Sequence, residues 1–250
     1  MNRKLLKKIY LQVKDGDLAG AWYSIKRRKY LKLDTKEYTV CLYGILYNGF
    51  RVCDTFLKSV PIPIVYSFGI GEDLSFSDQL MKNVSPQIYA YDPTPRAIEY
   101  VKHHSLYQSE SFHFFPYGLS DKDELSTFYL PVNDSHDCSG SVISCDHLKG
   151  QIINVEMKCL NTIIRKNRHT RIDLLKLDIE GAEFQVINSL KDCDVPIYQI
   201  CMEIHDRFFD NGLEKLKDCL VTLRNMDYQL IAISYSEQEL TFIRRDVSER

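Results

Sequence analysis

The segment Leu175-Lys-Leu-Asp-Ile-Glu-Gly-Ala-Glu183 joins an apolar stretch to three closely spaced carboxylates. The apolar residues before Asp178 predict a buried central strand, and the residues after Gly181 predict a helix. Acidic side chains at a helix N-terminus can act simply as capping groups, and Glu180 and Glu183 are open to that interpretation. Three carboxylates at one strand edge also indicate a site that binds a cation, a substrate hydroxyl or an amine.

Strands and helices alternate on both sides of this segment. Apolar stretches predict five strands that alternate with helical periodicity: 61–68, 87–91, 111–116, 172–177 and 197–204. This order is typical of right-handed βαβ units and a parallel sheet. Two closing strands, near Gln229–Ser234 and Leu240–Arg244, are joined by too short a turn for a crossover, so they pair antiparallel. We predict an α/β fold with a Rossmann-like, mostly parallel sheet and an antiparallel C-terminal hairpin.

The first 58 residues predict helices, including one around Thr39–Leu57, so we expect an N-terminal helical cap at 1–58 and a main domain at 59–250. Residues 1–36 contain eleven Lys or Arg and three Asp, whereas the remainder has an acidic excess. We interpret the basic segment as a solvated helix face; the alternative is a contact surface for an anionic partner, such as a nucleotide-linked substrate or a membrane surface.

The composition indicates a globular protein, with 44% hydrophobic and 26% charged residues among 250. No run of 18 apolar residues predicts a membrane span, and the charged N-terminus is unlike a secretory signal. The eight cysteines form no Cys-x-x-Cys pair and favour free thiols in a reducing compartment. We therefore expect a cytoplasmic protein.

A nucleoside site is indicated by Gly69-Ile-Gly71 after the first strand and by Asp92 at the end of the second. Glycines let the backbone approach a ligand, and an acidic residue at this place can bind ribose hydroxyls. The alternatives are an ordinary tight turn and a capping role for Asp92 at the helix that begins near Thr94.

A dinucleotide is disfavoured because the third glycine position of the Gly-x-Gly-x-x-Gly pattern is Leu74. Glu72 and Asp73 would also repel a pyrophosphate, but they suit a cofactor with a cationic amine and a sulfonium. Further along the chain, Glu203 and His205 lie on one side of the strand that ends there. His205 is the general-base candidate, although a structural histidine is the alternative.

The chain resembles the FkbM-type methyltransferases over residues 60–245. The resemblance depends on five elements in order: Ser67-Phe-Gly-Ile-Gly-Glu-Asp73, Tyr91-Asp-Pro-Thr-Pro95, Gly118-Leu-Ser-Asp121, Leu175–Glu183 and Met202-Glu-Ile-His205. It implies a class I fold and methyl transfer from S-adenosylmethionine to an oxygen of a sugar, glycan precursor or other small molecule. One departure is Ser67, since many class I methyltransferases have an acidic residue there, and Glu72 or Asp73 would compensate.

The resemblance also implies roles for individual residues. Gly69 and Gly71 would line the cofactor, Asp92 would bind its ribose, and Tyr117 or Gly118 would lie near the adenine. Asp178, Glu203 and His205 would face the reacting centre. The complete set of predicted cofactor-binding residues is Ser67, Gly69, Gly71, Glu72, Asp73, Asp92, Tyr117, Gly118 and Asp178.

Two modes of hydroxyl activation stay open. His205 could remove the proton, or a divalent cation on Asp178 and Glu203 could lower the hydroxyl pKa, although no resident metal is expected. A zinc site in the loop around His136 and His147 is disfavoured by its spacing. The rival interpretation is a non-catalytic binding protein on the same fold. A nucleic-acid substrate is not expected, because the main domain is acidic.

Overall fold

The computed structural model describes residues 10–11, 14, 18–33, 38–45, 49–130 and 151–249. The strands are β1 (Cys41–Tyr43), β2 (Phe50–Val52), β3 (Ile64–Phe68), β4 (Gln87–Tyr91), β5 (Phe112–Phe115), β6 (Gly118–Ser120), β7 (Glu124–Tyr129), β8 (Ile152–Cys159), β9 (Leu174–Leu177), β10 (Gln199–Glu203), β11 (Tyr228–Ile233) and β12 (Glu239–Arg244). The helices are α1 (Leu18–Tyr30), α2 (Asp54–Ser59), α3 (Ser75–Asn83), α4 (Pro95–His103), α5 (Leu160–Asn167), α6 (Glu183–Ser189) and α7 (Gly212–Asn225). The loop 133–150, which contains the disfavoured zinc motif, lies outside the described residues.

The central sheet has seven strands in the order β11-β12-β10-β9-β3-β4-β5. Strands β3, β4, β5, β9 and β10 are mutually parallel, whereas β12 pairs antiparallel with both β10 and β11. The predicted α/β fold, with a mostly parallel sheet and an antiparallel C-terminal hairpin, is therefore confirmed. A smaller three-stranded sheet, β6-β8-β7, extends from the end of β5.

Both faces of the central sheet are covered by apolar clusters. Successive residues of a strand point to opposite faces. Accordingly, Tyr66 and Leu175 belong to one cluster, and their neighbours Val65 and Leu174 belong to the other. Strands buried on both faces read as continuous apolar runs, which is why the segment before Asp178 predicted a central strand.

The N-terminal part departs from the helical prediction. Helix α1 lies where a helix was predicted, but the prediction of a helix over Thr39–Leu57 is wrong, because β1 and β2 pair there as antiparallel strands. Tyr43, Phe50 and Val52 of this hairpin are buried in the same cluster as Val65. Short apolar stretches do not distinguish strand from helix by periodicity, so packing against the sheet decided the outcome. The boundary at residue 58 stays a prediction.

The carboxyl ends of β3, β4, β9 and β10 meet at one edge of the sheet, because parallel strands all run in one direction. The residues that follow these strands are the ones predicted to form the site. Among the helices that the structure describes, none is both long and apolar enough to cross a bilayer.

Replacing Phe50 tests whether the β1–β2 hairpin belongs to the main core. Phe50 is fully buried and packs edge-on against Phe76 of α3. We expect Phe50→Ala to lower the free energy of unfolding by about 3–5 kcal/mol in a urea titration. The matched control, Leu42→Ala on the exposed side of β1, should change it by less than about 0.5 kcal/mol. An unaltered main transition in Phe50→Ala would mean that the hairpin unfolds separately from the sheet.

Candidate functional site

The two glycines after β3 serve different purposes. Gly69 has a φ of +75°, and a Cβ added there would lie 1.6 Å from the carbonyl oxygen of Asp178. Glycine is thus required because the exits of β3 and β9 touch at the backbone. Gly71 has a φ of +54°, and no heavy atom lies within 4 Å of the position of its Cβ. Gly71 therefore leaves open space on one side of the loop, where a ligand can approach the backbone.

Asp92 holds this glycine loop in place. One of its carboxylate oxygens accepts hydrogen bonds from the backbone N–H groups of Ile70, at 2.8 Å, and Gly71, at 2.9 Å. The other accepts from the backbone N–H and the hydroxyl of Thr94. A carboxylate offers about four lone-pair positions, and protein donors already use four. Helix α4 begins at Pro95 with Thr94 as its N-cap, so Asp92 is not the N-cap but fixes the residue that is. Ribose binding, which stays a prediction, requires a hydroxyl to take the place of Thr94.

Lys176 is a site residue that the sequence analysis did not select. It lies in the middle of β9, buried, and its ammonium donates to the carbonyl oxygens of Phe68 and Gly69 and contacts the carboxylate of Asp178 at 3.2 Å. The lysine thereby ties the end of β3 to the end of β9. A lysine inside the apolar stretch Leu174-Leu-Lys-Leu177 was the available signal, because a buried ammonium needs such partners.

Three predicted cofactor residues already have other surroundings. Ser67 is buried in β3, in register with Lys176. Asp73 accepts hydrogen bonds from the backbone N–H and hydroxyl of Ser75 at the start of α3. Glu72 forms an exposed ion pair with Arg96. These contacts give no separate support to the idea that Glu72 or Asp73 compensates for Ser67, and their cofactor roles stay predictions.

Tyr117 and Gly118 follow β5, where the adenine was predicted. The Tyr117 ring packs against Tyr91 and Phe115. Its hydroxyl is buried and has no hydrogen-bond partner among the described residues, which is unusual for a buried polar atom and fits a ligand that would supply one. Burial, with the charge of Glu156, raises the pKa of this hydroxyl to about 12, so it is a neutral donor. A Cβ on Gly118 would collide with Met157, so packing requires glycine there.

Glu183 organises the acceptor side of the site. It is fully buried at the start of α6 and accepts hydrogen bonds from the backbone N–H groups of Ile179 and Gly181. These donors precede α6, whose N-cap is Ala182 without a side-chain cap hydrogen bond, so Glu183 stabilises the turn before the helix, and the capping interpretation is not confirmed. The same carboxylate accepts from Nδ1 of His205 at 2.9 Å. Glu183 thus fixes both the turn after β9 and the orientation of the imidazole.

The other ring nitrogen of His205 faces two more carboxylates. Nε2 lies 3.3 Å from Glu180 and 3.6 Å from Glu203. Burial alone would lower the pKa of His205, but the hydrogen bond and charge of Glu183, with the charges of Glu180 and Glu203, raise it to about 10. His205 is thus an imidazolium at neutral pH. These contacts favour the protonated imidazole, which has no free lone pair to accept a proton, so they give no support to a general-base role for His205, and that role stays a prediction.

The pKa of Glu203 is also raised, which for a carboxyl group favours the neutral form. Burial, followed by the charge of Asp178, raises the pKa of this carboxyl to about 8, although His205 acts in the opposite direction. Glu239, its register partner on β12, also adds to the rise. An ionised Glu203 is consequently a stronger base than an ordinary carboxylate, and its pKa is close to physiological pH.

Negative charge exceeds positive charge in this cluster. Its acidic members are Asp178, Glu180, Glu183, Glu203 and Glu239, and its cations are Lys176 and His205. This excess of carboxylates over cations among the described residues attracts a cationic ligand. The donor set thus fits a cofactor that carries an ammonium and a sulfonium, and it brings together all three predicted catalytic residues.

The cluster also contains a geometry that could bind a metal ion. One ligand atom each of Asp178, Glu203 and His205 lie within 4.8 Å of one another. The hydrogen bond from His205 to Glu183 resembles the outer contact that orients many metal-binding histidines. A metal ion would have to displace the proton from Nε2, so proton and cation compete for this position.

A family model described as Methyltransferase FkbM domain matches residues 70–230. No curated protein sequence matches the chain. Among solved structures, a similar chain is that of Trm1 from Pyrococcus horikoshii in complex with S-adenosyl-L-methionine, at 12% sequence identity and a TM-score of 0.39. That alignment covers 78% of this chain and 55% of the other, so this chain spans about half the length of that protein.

The charge state of His205 is measurable by NMR of its side chain between pH 6 and pH 10. We expect the imidazole to keep its proton until about pH 10 in the wild type. Glu183→Gln should lower that pKa, because it removes the main favourable charge and leaves the burial that opposes protonation. The exposed substitution Glu110→Gln should have no effect. A wild-type His205 that loses its proton near pH 6.5 would contradict the described contacts.

Proposed function

Since this chain belongs to the FkbM methyltransferase domain family, whose cofactor is S-adenosylmethionine, we propose that it methylates a hydroxyl oxygen of a sugar, glycan precursor or other small molecule. The single observation that carries the proposal is the excess of carboxylates at the shared edge of β3, β9 and β10. That edge lies beside the open glycine loop at Gly71. A cationic methyl donor would bind along the loop and the carboxylates, and a neutral acceptor would bind next to it.

The cofactor half of the site consists of backbone groups of the glycine loop and the carboxylate of Asp178. The loop at Gly71 offers open space, and Tyr117 offers an unpartnered buried hydroxyl. Asp178 lies between this loop and the acceptor side, since its backbone touches Gly69 and its carboxylate contacts Lys176. We assign the carboxylate of Asp178 to the cationic part of the cofactor. When bound, S-adenosylmethionine supplies an electrophilic methyl group on its sulfonium.

We assign the general base to Glu203 and not to His205. The ionised carboxylate of Glu203 would accept the proton of the acceptor hydroxyl as the oxygen attacks. A pKa of about 8 gives this carboxylate more basicity than an exposed glutamate has. His205, held by Glu183 and charged, would keep Glu203 oriented and stabilise its ionised form. Positioning of the hydroxyl in line with the methyl group supplies the rest of the rate enhancement.

A divalent cation is the alternative means of activation. The observation in its favour is the proximity of ligand atoms from Asp178, Glu203 and His205. Such an ion would lower the pKa of a bound hydroxyl and so replace the need for a base. We prefer the carboxylate base, because the imidazolium of His205 already supplies positive charge at this position.

Calorimetry with S-adenosylmethionine tests the cofactor assignment directly. We expect the wild type to bind, and Asp178→Asn to bind about fivefold more weakly, because a partly exposed charge contact is worth ~1 kcal/mol. Asp194→Asn removes a carboxylate of an exposed pair with Arg165 and should leave the affinity unaltered. No binding by the wild type at millimolar ligand would contradict the proposal and favour a non-catalytic binding protein.

Transfer of a tritiated methyl group to a panel of sugars, nucleotide sugars and phenols tests the base. We expect Glu203→Gln to reduce turnover by about 10²–10⁴-fold without loss of cofactor affinity. Wild-type turnover should rise from pH 7 to pH 9, because Glu203 accepts a proton only when ionised and its pKa is about 8. The exposed Glu214→Gln on α7 is the control.

The metal alternative is separated from the base by chelation. If the carboxylate acts alone, EDTA leaves the wild-type rate unaltered. A rate that disappears with EDTA and returns with Mg²⁺ or Mn²⁺ would overturn the assignment of Glu203 as base.

A further inference from the structure

Helix α1 exposes three large apolar side chains and buries two polar ones. Its buried residues are Ala21, Ser24 and Arg27. Leu18, Trp22 and Ile25 are instead exposed, by 66%, 55% and 43%. Helices of globular proteins normally show the reverse, with the apolar face against the core.

Arg27 explains why the helix has this orientation. Its guanidinium is 4% exposed and donates from Nε to the carboxylate of Asp206 at 2.8 Å and from Nη1 to the carbonyl oxygen of Glu237. Asp206 is fully buried, so a charged pair is formed away from solvent, and losing one partner of such a pair is costly. The pair therefore fixes the rotation of α1 about its axis and keeps the apolar side chains outside.

The exposed apolar residues form one continuous stripe. Leu18, Trp22, Ile25 and Lys29 follow each other at intervals of three or four residues, which places them on one side of a helix. Lys26 flanks the stripe, with its ammonium over the Trp22 ring at 3.4 Å. The stripe thus combines aliphatic groups, a tryptophan and lysines, a composition typical of helices that lie in the interface of a membrane.

We propose that α1 docks this protein on an anionic lipid surface, with Leu18, Trp22 and Ile25 inserted at the level of the headgroups. Charge complementarity supports this occupant: residues 1–36 contain eleven Lys or Arg against three Asp, whereas the rest of the chain has an acidic excess. An anionic surface attracts the former and repels the latter, so the segment that contains α1 is the part of the chain that an anionic surface attracts.

The same features disfavour two other partners for the exposed stripe of α1. A second copy of the chain would bring identical stripes together about a twofold axis, and the lysines of both copies would then be neighbours. A nucleic acid would bind the lysines but would gain little from Leu18 and Ile25, because sequence-independent binding uses phosphate contacts and stacking on aromatic rings. An anionic lipid surface can contact both the apolar residues and the lysines of the stripe.

Trp22 reports on this docking by itself, because it is the only tryptophan of the chain. Its fluorescence is measured in the full-length protein with vesicles of phosphatidylcholine alone and of phosphatidylcholine with phosphatidylserine. We expect the emission to shift to shorter wavelength with the anionic vesicles only, and the shift to weaken at high salt. Quenching by brominated lipid should confirm that the ring lies at the interface.

Substitutions of exposed residues separate the contributions of apolar and basic side chains to vesicle binding. We expect Leu18→Ser with Ile25→Ser to weaken vesicle binding by about tenfold or more, and Lys26→Gln and Lys29→Gln by about fivefold each. Leu125→Ser, which removes an exposed leucine of β7, should have no effect.

Three outcomes would overturn the proposal. The first is a Trp22 emission that does not respond to anionic vesicles, or responds equally to neutral ones. The second is a shift that follows protein concentration without lipid and is accompanied by dimers in sedimentation. The third is a response to single-stranded RNA with none to vesicles.

Discussion

The contact between the exits of β3 and β9 is the constraint on which the site depends. At this point the backbone of Gly69 lies against the carbonyl of Asp178, so closely that no other residue type fits. Lys176 closes the contact from the side with hydrogen bonds to the end of β3. Because of it, the glycine loop and the carboxylate cluster form one continuous edge. In the proposed function, the methyl donor and the acceptor would bind next to each other along this edge.

Electrostatics within that edge sets the chemistry. Burial raises the pKa of a carboxyl group and lowers that of an imidazole, whereas opposite charges nearby act the other way. For His205 the carboxylates outweigh burial, and for Glu203 burial and like charges outweigh the imidazolium. Both pKa values are therefore raised above those of free glutamate and histidine, and their order is unchanged. The histidine is the fixed charge, and the glutamate is the group that titrates near neutral pH.

The N-terminal helix is linked to the same edge. Asp206, the partner of Arg27, directly follows His205, and Glu237 lies in the turn between β11 and β12. One arginine thus ties α1 to both loops on the acceptor side of the site. The family match begins only after this helix, at residue 70. If α1 binds a lipid surface, the acceptor side of the site would accordingly have a fixed orientation relative to that lipid.

The sequence by itself determined the sheet, its C-terminal hairpin and the set of residues at its edge. Apolar runs, glycine pairs and acidic residues after strands are local patterns, and local patterns are enough for these features. The β1–β2 hairpin, the role of Lys176 and the charge of His205 were decided only by the tertiary structure. Each depends on groups far apart in the chain: Phe50 on Phe76, Lys176 on Gly69, His205 on Glu183. Burial and the distance to a neighbouring charge exist only once the chain is folded, so sequence spacing cannot supply them.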